Sequence, residues 1–211
     1  LRMWYRWALR QAKKAGIPVK CGITVTRELL EKEKPDAVVL AAGALPVVPK
    51  IPGIDGAHVY DARDVLLEKV PFSGPAVVLG GGYVGMETMD FLLEKGIAVT
   101  LLEMQDFPPV GKHTAHGYWL HRRIRKGGGT IVTGAKVTEI HRSSVSFIKD
   151  GIVTELSPVN MVVTALGVCP ENQLADVLTS MAIPFLSAGD VISPRRIIEA
   201  IHEGHRAGLE I

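Results

Sequence analysis

The stretch Ala76–Gly96, AVVLGGGYVGMETMDFLLEKG, constrains the chain more than any other, because it reads as apolar strand, glycine turn and helix in direct succession. Gly80, Gly82 and Gly85 keep the G-x-G-x-x-G spacing: one glycine for a tight turn, one for close approach of a pyrophosphate, one for packing helix on strand. In a chain with 22 glycines the spacing alone is a weak signal. Its surroundings strengthen it. Val77–Leu79 suits a strand buried on both faces. Val84, Met86, Met89, Phe91, Leu92 and Leu93 supply the apolar content of a helix that Gly96 stops. A second strand, Ala98–Leu102, ends on Glu103, which stands 23 residues after Gly80. An acid about 20 residues after the first glycine is where a ribose hydroxyl is bound.

Glu103 also bears on which dinucleotide fits. A carboxylate accepts hydrogen bonds from ribose hydroxyls and repels a 2′-phosphate. Met104, Gln105, Asp106 and Phe107, which follow it, bring no arginine or lysine to neutralise such a phosphate. NADH is therefore expected over NADPH.

At 211 residues the chain can hold one large domain or two small ones, and its 47% hydrophobic content indicates a globular protein with a sizeable core. A formal charge of +2 gives no reason to expect a nucleic-acid partner. The basic run His121–Lys126 ends an expected helix, where cations favour the dipole, and is read as a solvated helix end. Two cysteines, Cys21 and Cys169, form neither a disulfide framework nor a C-x-x-C pair. No apolar run is long enough to span a bilayer, no signal peptide is read, and a cytoplasmic setting is expected.

Leu1–Ala15 reads as a helix ended by Gly16 and Pro18, with Trp4, Trp7 and Leu9 expected in a core or interface. Val19–Val25 reads as a strand and Thr26 as the cap of a short helix through Lys32. Ala37–Gly43 is an apolar strand ending in small residues. Pro46, Pro49, Pro52 and Gly53 then form a connection unsuited to a sheet interior. A brief strand at Val59–Tyr60 and a helix over Asp61–Lys69 precede the break Pro71–Pro75, where a domain boundary is placed. After a turn at Phe107–Pro109, Thr114–Lys126 reads as a helix; His113, His116 and His121 on or beside it lack the spacing of a zinc pair and are read as surface residues. Thr130–Thr133 continues the parallel sheet. Lys136–His141, Ser144–Lys149 and Ile152–Leu156 alternate and turn at Asp150-Gly151, as an antiparallel meander does. Asn160–Leu166 is a buried strand ending at Gly167, Cys169–Asn172 a loop, and Ile183–Asp190 a strand ending in Gly189 and Asp190, with a helix from Pro194.

Four stretches now stand in one order: VVLAAGALP, GGGYVG with Glu103, TALGVCP and SAGDVISPRRIIEAIHEG. That order resembles the pyridine nucleotide-disulfide oxidoreductase superfamily, in which an NAD(P)H domain is inserted into an FAD domain. Within it, the last stretch is similar to the carboxyl-terminal region of 2,4-dienoyl-CoA reductases and NADH:flavin oxidoreductases of the old yellow enzyme type. The resemblance implies that Ala41, Ala42 and Gly43 match an alanine-threonine-glycine strand end, departing from it at Ala42, and that Gly189 and Asp190 hold FAD. It implies that Gly80, Gly81, Gly82, Tyr83, Val84, Gly85, Glu87, Glu103 and Gly167 serve NADH, with Tyr83 over the nicotinamide pocket and Glu87 one helical turn on. A Tyr83 that merely packs on its own helix fits the same residues.

The expected fold is α/β: two Rossmann-like units with parallel sheets and an antiparallel meander. Residues 1–72 and 170–211 form an incomplete FAD domain, and 73–169 an inserted NADH domain. The expected function is that of a flavoprotein oxidoreductase passing a hydride from NADH to FAD. An FMN barrel and an iron–sulfur cluster are expected only upstream, as part of the same parent chain, with electrons passing to FMN and an unsaturated enoate- or dienoyl-CoA-like substrate. The first glycine motif, the phosphate cradle for FAD, is not in the sequence. The 211 residues are therefore expected to be a fragment, inactive alone, that binds FAD weakly or not at all. No side chain is assigned as acid, base, nucleophile or metal ligand, and a homo-oligomer is compatible with the sequence. Two other readings stay open: an NADH oxidase or disulfide reductase with its cysteine upstream, and a module that binds NADH without turnover.

Overall fold

The computed structural model describes residues 2–107 and 109–211. Leu1 of the expected first helix and Pro108 of the expected turn lie outside them. Contacts divide the chain into two units, Leu1–Gly43 with Glu171–Ile211, and Ala44–Pro170.

The first unit holds α1 (Arg2–Lys14), α2 (Arg27–Glu33) and β1 (Val38–Leu40). The second holds β2 (Ala44–Pro46), β3 (Val59–Asp61), α3 (Ala62–Leu66), β4 (Ala76–Leu79), α4 (Tyr83–Glu94), β5 (Val99–Leu102), α5 (Ala115–Lys126) and β6 (Thr130–Val132). It continues through β7 (Lys136–Ile140), β8 (Val145–Lys149), β9 (Ile152–Leu156), β10 (Met161–Thr164) and β11 (Val168–Pro170). The chain then returns to the first unit with α6 (Gln173–Ser180), β12 (Phe185–Ser187), a 3-10 turn at Gly189–Val191 and α7 (Ile197–Glu210). The α/β class with parallel sheets and an antiparallel meander is as the sequence implies.

In the second unit a five-stranded parallel sheet runs in the order β3-β10-β4-β5-β6. Because side chains alternate along a strand, β4 splits its apolar residues between two faces. Ala76 and Val78 join Met86, Met89, Leu92, Leu120 and Ile124 beneath α4 and α5, whereas Val77 and Leu79 meet Ile140, Val145 and Phe147 of the meander. The sheet is thus covered on both sides, as parallel strands require. The meander β7-β8-β9 turns from β8 to β9 at Asp150-Gly151, both at positive φ (51° and 75°), the geometry of a two-residue hairpin turn. Asp90 of α4 accepts a 2.8 Å hydrogen bond from Arg123 of α5, which ties the two helices and holds the guanidinium pKa above its ordinary value.

The domain boundary at Pro71–Pro75 needs correction. Residues 44–72 belong with the second unit: β3 pairs in parallel with β10, Val59 opposite Val162, and Ala62 and Val65 lie in the core beneath the helices. Two other expectations also change. Ala44–Pro46 is a strand, paired antiparallel with β11, and Pro46 is tolerated because a two-stranded ribbon has only edges. Val19–Val25 is not a strand; it pairs with no neighbour among the described residues, and Val19, Ile23 and Val25 are exposed.

The first unit is thinner. Its β1 and β12 form a two-stranded parallel pair in register Leu40 with Ser187. Thr26 caps α2 by accepting a 3.4 Å hydrogen bond from the Leu29 N–H, as its sequence position implies. Trp4 and Trp7 are half exposed and lie in no core of the described residues.

Candidate dinucleotide-binding site

Strand β4 is buried throughout and delivers Gly80 to the carboxyl end of the sheet between β10 and β5. The chain leaves β4 toward β5 and β6, then returns to β10 on its other side, so this end is a topological switch point, where open α/β sheets bind ligands. The three motif glycines answer to different constraints there. Gly80 has φ of 102°, and a Cβ would fall 2.4 Å from the Ala165 carbonyl oxygen. A Cβ on Gly85 would fall 1.9 Å from the Gly80 carbonyl oxygen, so the helix can approach the turn only through a glycine. Among the described residues, apart from its chain neighbours, a Cβ on Gly82 would meet nothing within 4 Å. No protein contact explains its lack of a side chain; a ligand against the backbone would.

Gly82 is also the N-cap of α4 and offers no side-chain acceptor, so the first N–H groups of a 12-residue helix face outward uncapped. Such an end binds anions. Beside it, Glu103 follows β5 and is only 5% exposed. Its Oε2 accepts from the Gly81 N–H at 2.6 Å and its Oε1 from the Gln105 N–H at 2.8 Å. The carboxylate is thereby fixed by backbone donors, with lone pairs left for further donors such as hydroxyls.

These groups line one cavity of about 700 Å³, within the range of small-molecule and cofactor sites. The structure brings Gly80, Gly81, Gly82, Tyr83, Val84, Glu103 and Gly167 together around it. Gly167 sits at φ of 88° just beyond β10. Gly85 supports the turn from beneath, and Glu87, a turn along α4, does not line the cavity. Sequence reasoning missed two cations there. Arg63 and Lys136 also line the cavity, Arg63 engaged by Asp61 at 2.9 Å. The first comes from the segment assigned to the other domain and the second from beyond β6, so the residues next to Glu103 could not reveal them. Glu87 accepts a hydrogen bond from His116 at 2.9 Å, and His121 donates to the Val110 carbonyl at 2.8 Å, so both histidines have partners.

In the first unit, the register of β1 against β12 places Ala41, Ala42 and Gly43 beside Gly189 and Asp190 at one end of the strand pair. Gly43 and Gly189 have φ of 81° and 79°. Asp190 accepts a 3.2 Å bond from the Arg195 N–H, and the Gly189 N–H donates to Glu203 at 2.9 Å. That backbone bond, followed by the Arg195 guanidinium, holds the Glu203 carboxyl below its usual range.

Comparison with known proteins identifies the family. The family model for pyridine nucleotide-disulphide oxidoreductases matches residues 5–192. The chain belongs to that family. Among its relatives, an NADH oxidase of Thermoanaerobacter brockii is 33% identical over 99% of this chain and 33% of its own length. A bilirubin reductase of Mediterraneibacter gnavus is 32% identical over 96% of this chain and 32% of its own. A solved 2-naphthoyl-CoA reductase superposes with a TM-score of 0.87 at 29% identity, over 98% of this chain and 31% of that one. The chain therefore spans about a third of the length of the relatives it matches. By family the chain is a pyridine nucleotide-disulphide oxidoreductase domain, which implies dinucleotide binding, and among the described residues no helix is long and apolar enough to cross a membrane.

Proposed function

We propose that residues 44–170 bind NADH and hold its nicotinamide for hydride transfer to a flavin, within a larger reductase. The observation that carries this is the Gly80–Gly85 turn with Glu103 fastened to it through Gly81. An open backbone at Gly82, an uncapped helix end and a pinned carboxylate fit the pyrophosphate and adenosine ribose of one dinucleotide. When bound, NADH supplies the hydride and FAD accepts it. The side chains bind, orient and exclude water. Glu103 accepts from ribose hydroxyls and disfavours a 2′-phosphate, and of the two cations that line the cavity, Arg63 and Lys136, the first is already paired with Asp61.

FAD is proposed to meet Ala41, Ala42, Gly43, Gly189 and Asp190. The small residues leave room for it, and Asp190 has an oxygen to spare for hydroxyls. Among the described residues of the first unit no counterpart of the Gly80–Gly85 turn adjoins β1, which supports weak FAD binding by these 211 residues. In the parent, electrons would continue through an iron–sulfur cluster to FMN and an unsaturated acyl substrate. A second reading, NADH oxidase, is favoured by the 33% identical relative of that name.

Calorimetric titration of the purified chain tests the proposal. Saturable NADH binding at least about tenfold tighter than NADPH is expected, with Glu103→Gln narrowing that preference. Equal affinity for the two, or no NADH binding, would overturn it.

A further inference from the structure

We infer that His116 is a positioning residue for the nicotinamide half of the dinucleotide, an inference that rests on the NADH reading of residues 44–170. Tyr83 is the first residue of α4; it lines the cavity and is 47% exposed. A side chain so placed has free rotamers unless something outside its own helix holds it. His116 does so. Its ring lies 5.5 Å from the Tyr83 ring, tilted by 33°. The same ring donates from Nε2 to Glu87 Oε1 at 2.9 Å, and Glu87 shares Tyr83's face of α4, four residues on. One histidine thus grips both side chains that project from this side of the helix start.

The backbone that presents His116 is itself fixed. Thr114 caps α5, accepting a 3.0 Å bond from the Gly117 N–H. Gly117 lies so close to Gly111 that a Cβ would fall 2.1 Å from its carbonyl oxygen. Farther along the same two helices, Asp90 and Arg123 keep α5 against α4. His116 therefore comes from a rigid element rather than a mobile loop.

Fold stability gives little reason for the arrangement. The His116 and Glu87 side chains are 52% and 45% exposed, and ion pairs that open to solvent contribute little. What the contacts do accomplish is to order Tyr83 before a ligand arrives, which removes part of the entropic cost of binding. With the adenosine ribose on Glu103 and the pyrophosphate at the start of α4, the remaining half of the dinucleotide must leave past Tyr83. The benefit of His116 should then fall on that half alone.

Two probes separate the halves. NADH carries the nicotinamide, and ADP-ribose lacks only that ring. In the 211-residue chain, His116→Ala is expected to weaken NADH about 2- to 10-fold, the cost of ordering one or two side chains, with ADP-ribose affinity and the thermal midpoint unchanged. His116→Gln, which keeps a donor for Glu87, should recover part of the loss. Unchanged NADH affinity in His116→Ala, or an equal loss for both ligands, would overturn the inference while leaving the NADH site standing. A wild-type chain that binds ADP-ribose but gains nothing from the nicotinamide would also overturn it. If wild type binds neither ligand, the underlying NADH reading falls first and takes this one with it.

Discussion

The two units use the same local device, a strand running into a glycine with a carboxylate close by, and differ in what surrounds it. In the second unit β4 has a parallel neighbour on each side, and its apolar side chains are covered on both faces. In the first, β1 has one neighbour, and Val39 in its middle is 42% exposed, as are Val19 and Ile197 elsewhere in that unit by more than half. Among the described residues this parallel pair has no further strand beyond either edge. Among the described residues, only the second unit flanks its glycine turn with a strand on each side.

Substitutions can break this contrast, starting where the framework is tightest. Gly85→Ala forces a methyl onto the Gly80 carbonyl and should destabilise the second unit by about 3 kcal/mol, abolishing NADH binding as well. Thermal melting followed by a binding titration would check both; a variant that melts like wild type would mean the turn is not held as described. Gly82→Ala should act oppositely. Among the described residues, apart from the chain neighbours, no atom stands within 4 Å of the added methyl, so stability should move by less than about 1 kcal/mol while NADH affinity falls at least about tenfold. Two glycines three residues apart would then separate fold from ligand.

The smallest effect belongs to the first unit and is a pH effect. The Glu203 pKa is lowered from its ordinary 4.5, first by the Gly189 N–H and then by Arg195. A depressed carboxylate pKa adds stability that is present above the unfolded value and lost as pH falls through the folded one. Glu203→Gln should therefore loosen α7 at neutral pH, and the gap to wild type should close as pH drops below about 4.5. Hydrogen exchange of the α7 amides would follow it; a gap constant down to strong acid would exclude the linkage.

Local chemistry was legible in the sequence, and long-range pairing was not. The glycine turn, α4 with its stop at Gly96, the hairpin at Asp150-Gly151 and the Thr26 cap each depend on residues a few positions apart. By contrast, β3 belongs to the second unit because Val59–Asp61 lies beside Val162–Thr164, a partnership no nearby residue signals. The apolar run Val19–Val25 has strand composition, yet a strand exists only when a neighbour supplies its hydrogen bonds. The site divides in the same way. Its motif residues could be read directly, whereas Arg63, Lys136 and the grip of His116 on Tyr83 and Glu87 emerge only once distant segments are folded together.

The ribbon of β2 and β11 has an evolutionary consequence. Ala44 stands opposite Pro170, so the chain leaves the second unit one rung from where it came in, and in the flanking unit the Glu171 N–H donates to the Gly43 carbonyl at 3.1 Å. For the host, the entropic penalty of carrying a guest depends on how far apart its ends are held rather than on its length. With the ends already clasped, that penalty is close to the cost of an ordinary turn. Residues 44–170 therefore enter and leave the rest of the chain at a single position, so that such a unit can be inserted or exchanged without lengthening the connection.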